Sequence, residues 1–264
     1  MLARFRAAGL VWPTVLTLIG AALLVGLGMW QWQRKAWKEN LIATIAARAA
    51  EPPLSFEQAK TLRCEMSDGV GLAASCEYRR IRVRGTFDHS KERHVFAGVP
   101  AGASEPGYWI FTPFQPVDPA LRPKYVNRGF VPEALKAPVR RQSGQVSGET
   151  EIVAQIRTTE MRGWFDGQDD PQKNVYFVRD PRELGLGYAK QTAGAPLFEA
   201  GWFYLELIDP VPPGGLPKPL ISKIEIQNRH LEYALTWWGL ALTLIGVYIA
   251  FAAGRLRAPA NGGG

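Results

Sequence analysis

The chain has 264 residues, a formal net charge of +7, three histidines and two cysteines. No CxxC pair, GxSxG, HExxH, phosphate-binding loop or dinucleotide fingerprint occurs, which excludes the usual redox, zinc, hydrolase and nucleotide sites. No basic stretch carries the interleaved aromatics of a nucleic-acid module, so nucleic acid is not expected as a partner.

In chain order, residues 7–33 hold no charged side chain, and about twenty apolar residues suffice to cross a bilayer core. A first span is expected at residues 9–32. Pro13 falls near its start, where a missing N–H is harmless, and Trp12, Trp30 and Trp32 sit at interfacial depth. Arg4 and Arg6 before an apolar run also suit a cleavable signal. The run is long for one, however, and it ends on bulky Trp30, Gln31 and Trp32, so an uncleaved signal-anchor is expected. Gly26 and Gly28 inside the span suggest close helix packing.

Beyond Trp30 the helical stripe continues through Leu41, Ile42 and Ile45 as far as Pro52 and Pro53. Trp30, Arg34 and Lys38 share one face at i, i+4 spacing. Two readings stand: anchoring in the lipid headgroups, or a stripe for a partner.

Residues 33–229 read as one domain, large enough to bury a single core. A short helix is expected at 54–62. Strands are expected at 78–87, 94–97, 108–114, 124–127, 145–157, 174–178, 202–208 and 223–226, with a further helical turn at 181–188. In the first of these, Ile81 and Val83 alternate with Arg80, Arg82 and Arg84. Such short strands between Gly and Pro clusters point to a mostly antiparallel sheet or small barrel. Eleven residues separate Cys64 from Cys76. They either close this loop as a disulfide or remain two unrelated thiols.

His89 and His94, with Asp88, are spaced for neither a helical nor a strand metal pair, and a solvated turn is the expectation. Residues 210–219 read as a stiff proline-rich linker. His230 stands at the mouth of a second charge-free stretch, 233–254, expected to form a second span at 230–254 with Asn228 as its cap. An imidazole among Tyr233, Trp237, Trp238, Trp30 and Trp32 is either a hydrogen-bonded interface residue or an axial ligand for haem iron. A tail follows at 255–264.

The resulting class is a membrane protein of α+β type, two transmembrane helices flanking one mostly antiparallel-β extracytoplasmic domain. Charge is nearly balanced across it: Arg4, Arg6, Arg255 and Arg257 oppose Arg34, Lys35, Lys38 and Arg229. A signal-anchor that translocates a long domain, and cysteines that could pair in an oxidising compartment, tip the orientation outward. The expected location is a bacterial inner membrane, termini cytoplasmic and domain periplasmic.

Four segments in order, LGMWQWQRKAWK (27–38), VRGTFDHSKE (83–92), YVNRGFVP (125–132) and NRHLEYALTWWGLA (228–241), resemble the Surfeit locus protein 1 family of cytochrome c oxidase assembly factors. The resemblance implies a non-enzymatic protein that binds haem a through His230, with Trp237 and Arg229 beside it, and presents it to the oxidase catalytic subunit. The haem a synthesis enzyme is a possible second partner, besides the lipid bilayer. Arg229 stands where the family often has asparagine; a cation there suits a haem propionate. The family-signature positions are Trp30, Gln31, Arg34, Lys38, Gly85, Phe87, Asp88, Arg128, Gly129 and Tyr233. Of these, Gly85, Asp88, Arg128 and Gly129 are expected to shape the fold, Asp88 as a turn cap and Arg128 in an ion pair at a strand end. The alternative is a cofactor-free scaffold that stabilises an oxidase subunit during assembly.

Overall fold

The computed structural model describes residues 6–62, 76–100, 102–119, 121–185, 203–219 and 228–257. They fall into two compact units: residues 45–225, and residues 1–44 together with 226–264.

The larger unit holds six strands, the first alternating cleanly between core and solvent and the third and fourth buried on both faces. These are β1 (Arg80–Phe87), β2 (Arg93–Gly98), β3 (Gly107–Pro116), β4 (Lys124–Pro132), β5 (Glu149–Thr158) and β6 (Phe203–Asp209). Their order is β1-β5-β6-β4-β3-β2, and an additional pairing of β1 with β3 closes five of them into a barrel, leaving β2 outside on β3. All pairings are antiparallel except that of β4 with β6.

Ile81 and Val83 of β1 face the core with Ile152, Ala154 and Ile156 of β5 and Phe203, Leu205 and Leu207 of β6. Burial of each larger side chain contributes about 1.5–3 kcal/mol. The alternate residues Arg82 and Arg84 face outward and meet Glu151 and Glu149 of β5 at 3.1 and 2.6 Å. A second layer, Val95, Phe111, Tyr125, Tyr176, Leu184 and Tyr204, packs elsewhere in this unit.

Closure of the barrel depends on one missing side chain. Gly85, Thr86 and Phe87 register with Pro116, Gln115 and Phe114, and a Cβ on Gly85 would stand 2.1 Å from the Gln115 carbonyl oxygen. Only glycine lets the two backbones approach this closely.

Three helices complete the described chain: α1 (Val11–Ala50), α2 (Phe56–Thr61) and α3 (His230–Arg257). Helix α2 starts at a reciprocal capping box between Ser55 and Gln58 and buries Ala59 in the barrel core. Helices α1 and α3 are long and apolar enough to cross a membrane. The stripe past Trp30 is helical to Ala50, as its pattern indicated.

Several elements differ from expectation. The strand foreseen at 124–127 runs on to Pro132. The one foreseen from 145 begins only at Glu149, after a 3-10 segment over Pro138–Gly144. Residues 174–178 form no strand; they make isolated bridges, Val175 with Asp170 and Tyr176 with Val95. Tyr176 thereby satisfies the outer edge of β2, donating to the His94 carbonyl and accepting from the Phe96 amide. A turn is present at 181–185. The rest of that expected turn, Trp202 and the strand at 223–226 lie outside the described residues.

Candidate functional site

The smaller unit is an antiparallel helix pair, and its seam is built from small residues. Ala21 and Gly28 of α1 and Ala234 and Ala241 of α3 are buried, each pair seven residues apart. That spacing keeps one face of each helix toward its partner. A Cβ on Gly28 would collide with the Trp238 indole, 2.2 Å from Nε1, while Gly26 meets nothing within 4 Å. Of Gly26 and Gly28, only Gly28 is therefore a packing position; Gly20 is another, since a Cβ there would stand 3.1 Å from Leu244. Thr14 and Tyr248 share a hydrogen bond across the pair, and Arg255 donates to the Ala8 carbonyl at 3.1 Å.

At the opposite end of this pair stands His230, the first residue of α3. Its Nδ1 donates to Gln31 Oε1 of α1 at 2.6 Å. A neutral imidazole that donates from Nδ1 keeps the lone pair on Nε2, the form in which histidine ligates a metal. A carbonyl acceptor on the other ring nitrogen is the usual device for fixing that tautomer and the ring's direction. Trp32 packs against Trp238 with ring centroids 6.1 Å apart, and Trp30, Trp32 and Tyr233 are exposed around the same end. The donor set is thus one oriented nitrogen in an aromatic, apolar surround. A single nitrogen is enough for a group that brings its own remaining ligands and too little for a bare cation; among the described residues no group of three or more His, Cys, Asp or Glu could hold a metal ion.

The other residues expected here divide. Trp237 is half-buried one position before the tryptophan that meets α1. Arg229 lies 3.8 Å from Glu232. Asn228 does not cap α3: its Oδ1 is buried without a hydrogen-bond partner. Along α1, the Arg34 guanidinium stacks 4.0 Å over Trp37, Lys35 pairs with Glu39 at 2.7 Å, and Lys38 is half-buried.

In the β domain, the two signature blocks converge on Arg128. Its guanidinium lies 5.0 Å over the Phe87 ring, reaches His89 Nδ1 at 3.4 Å and donates to the Gly144 carbonyl. The expected ion pair at a strand end is not what forms. Arg128 is buried within β4, and its partners are an imidazole, a carbonyl and a ring. Burial pulls its pKa down to about 10. The adjacent Gly129 has φ +125°, and a Cβ there would strike the Lys218 carbonyl at 2.4 Å. Asp88 caps the turn at His89–Lys91 through the Ser90 amide, as expected.

His94 does not lie in a solvated turn. It is buried and donates from Nε2 to Glu92 at 2.8 Å, while Arg141 grips the same carboxylate with both terminal nitrogens. Burial alone would raise the Glu92 pKa; the hydrogen bonds from His94 and Arg141 and the charge of Arg141 outweigh it and hold the group down to about 2. Sequence reasoning missed Arg141, whose partner lies 49 residues away. It also missed the Gln31–His230 contact, although two antiparallel helices joined in this order bring the latter part of one beside the start of the other. Cys76 is buried and disulfide-bonded; Cys64 lies outside the described residues.

Comparison with known proteins shows the family. Residues 18–242, which include the whole barrel, most of α1 and part of α3, match the SURF1 family. Surfeit locus protein 1 of Homo sapiens is 33% identical over 229 residues, covering 82% of this chain and 69% of the human protein. The Takifugu rubripes protein of the same name is 32% identical over 83% of this chain and 88% of its own length. A SURF1-like protein of Monosiga brevicollis is 31% identical over 92% and 88%. With the family match spanning most of the sequence and these relatives covered over more than two thirds of their length, the chain belongs to the SURF1 family.

Proposed function

We propose that this chain is a membrane-anchored, non-enzymatic assembly factor for a cytochrome c oxidase, which takes haem a on His230 and presents it to the oxidase catalytic subunit. The observation that carries the reading is the 2.6 Å hydrogen bond from His230 Nδ1 to Gln31 Oε1, which leaves Nε2 as the free ligand atom. When bound, the haem would supply the iron that this nitrogen ligates. The chain's own residues do the rest. Gln31 aims the ring, the small-residue seam holds α3 against α1, and Trp30, Trp32 and Trp238 offer apolar area beside it. Arg229 is placed one residue before His230 as a cation for a propionate, in exchange for its 3.8 Å contact with Glu232. A single protein nitrogen suits a carrier that must release its cargo.

In the same reading α1 and α3 cross a bacterial inner membrane, both termini are cytoplasmic and the barrel is periplasmic. The disulfide at Cys76 supports an oxidising compartment. The test is the visible spectrum of the detergent-purified chain co-expressed with haem a synthesis enzymes, beside His230→Ala. A haem a signal lost in the variant supports the carrier. Haem in neither protein, with the oxidase subunit still co-purifying, favours a cofactor-free scaffold.

A further inference from the structure

Turns are normally made of Gly, Asn, Asp, Pro and Ser, because these residues satisfy their own backbone and tolerate water. The turn over residues 163–166 inverts that rule at its tip. Gly163 and Asp166 close it, the Asp166 amide donating to the Gly163 carbonyl at 3.3 Å and the Gly163 amide to Asp166 Oδ2. The two central positions are Trp164 and Phe165, 95% and 97% exposed, with Met161, 72% exposed, just before them.

The base of the turn is pinned. Arg162 bridges Asp169 and Glu183, each at 2.6 Å, and donates to the Gly167 carbonyl. Asp169 in turn accepts from the Phe177 amide at 2.9 Å. Gly167 has no room for a side chain, since a Cβ would stand 2.8 Å from the Phe177 ring. The aromatics are therefore held outward by a fixed base rather than left on a loose loop.

We propose that this tip inserts into the headgroup–acyl boundary of the bilayer in which the chain is anchored. Three features select that occupant over a protein groove. The domain is bounded at both ends by helices long and apolar enough to cross a membrane, so chain connectivity alone keeps it at the surface at high effective concentration. Tryptophan and phenylalanine are the side chains that favour the interface. Among the described residues the tip is also ringed by charge, with Arg162, Asp166, Asp169 and Glu183 at its base, and lacks the broad apolar surround of a protein interface. Arg162 is already engaged by two carboxylates, so insertion draws on apolar contact and not on anionic lipid. The inference rests on reading α1 and α3 as membrane spans.

The test places a photoreactive p-benzoylphenylalanine at position 165 in the full chain. The labelled protein is reconstituted in phosphatidylcholine nanodiscs, with and without phosphatidylglycerol. Identical probes go at Met29 of α1 and at Val139, which is 68% exposed. After irradiation, mass spectrometry should find phospholipid adducts at 165 and 29, in both lipid mixtures, and none at 139. Lipid adducts at 29 but not at 165 overturn the tip's insertion alone. Absence at both positions overturns the membrane reading and the proposal with it. Adducts from 165 to a co-purified protein in place of lipid assign the tip to a protein partner and also overturn it.

Discussion

Replacing Gln31 with leucine removes one acceptor and little else, since the side chains are close in size and α1 continues well past this point. The lost interaction is the 2.6 Å contact that commits the His230 proton to Nδ1. A neutral hydrogen bond contributes about 0.5–1.5 kcal/mol net. Without it the imidazole is free to rotate and to place the proton on Nε2, which blocks ligation. Removing such an outer partner of a metal-bound histidine typically lowers affinity about 10–100-fold. The two estimates meet near tenfold, about 1.4 kcal/mol. The assay is titration of the detergent-purified apoprotein with haem, followed in the Soret region, for wild type, Gln31→Leu, Gln31→Glu and His230→Ala. Gln31→Leu should bind about tenfold more weakly. Gln31→Glu, which retains an acceptor, should recover most of the affinity, and His230→Ala should show no axial ligation. Wild-type affinity in Gln31→Leu would refute the tautomer argument while leaving His230 free to be the ligand.

Arg141→Met strips Glu92 of its bidentate partner, and breaking one side of a buried pair costs about 3–5 kcal/mol. That corresponds to a melting point lowered by about 10 °C for a domain of this size. The Glu92 pKa is depressed from 4.5 to about 2, so its stabilisation is present above 4.5 and is lost as pH falls toward 2. The variant's deficit in scanning calorimetry should therefore shrink in acid; an equal deficit at neutral and acid pH would show that Arg141 acts through packing alone. Gly85→Ala should strain the β1–β3 seam by about 1–3 kcal/mol. The signature is faster amide exchange at Asp88 and Val117, which donate to Pro113 and Arg84 across that seam, and unchanged exchange there would contradict the steric argument. Gly28→Leu should displace Trp238 and lower haem content while the barrel's melting is unaltered. Gly26→Leu, which meets no neighbour, should be neutral by the same spectrum.

What the sequence disclosed follows interaction range. The strands of the barrel were legible where a core face alternates with charge, as at Ile81 and Val83 between arginines. Both apolar helices were legible from the absence of charge. Closure of the barrel was not, because it depends on a pairing between β1 and β3 that no local period encodes. Residues 174–178 have strand composition yet only cover an edge, a choice made by the neighbouring β2. Arg128 was expected to find a carboxylate. The one carboxylate in this cluster, Glu92, is taken by Arg141 and His94, and a ring, a carbonyl and an imidazole serve Arg128 instead. Asn228 has a capping residue's chemistry, but its side-chain oxygen finds no backbone donor. At the candidate site, His230 and Gln31 were each singled out, whereas their contact required the two helices to be laid side by side.

The separation of 199 positions from Gln31 to His230 also sets an order of events during synthesis. Chains emerge at about 5–20 residues per second, and the N-terminal part folds first. The barrel, whose last strand ends at Asp209, can close only about 1–4 s before synthesis reaches α3, but the first helix waits about 10–40 s. Throughout that interval Gln31 faces no histidine, and a prematurely released chain lacks His230 altogether. On the proposed haem-binding role, only a chain whose last helix has met the first could load, so the order of synthesis itself would withhold the ligand site until the hairpin is complete.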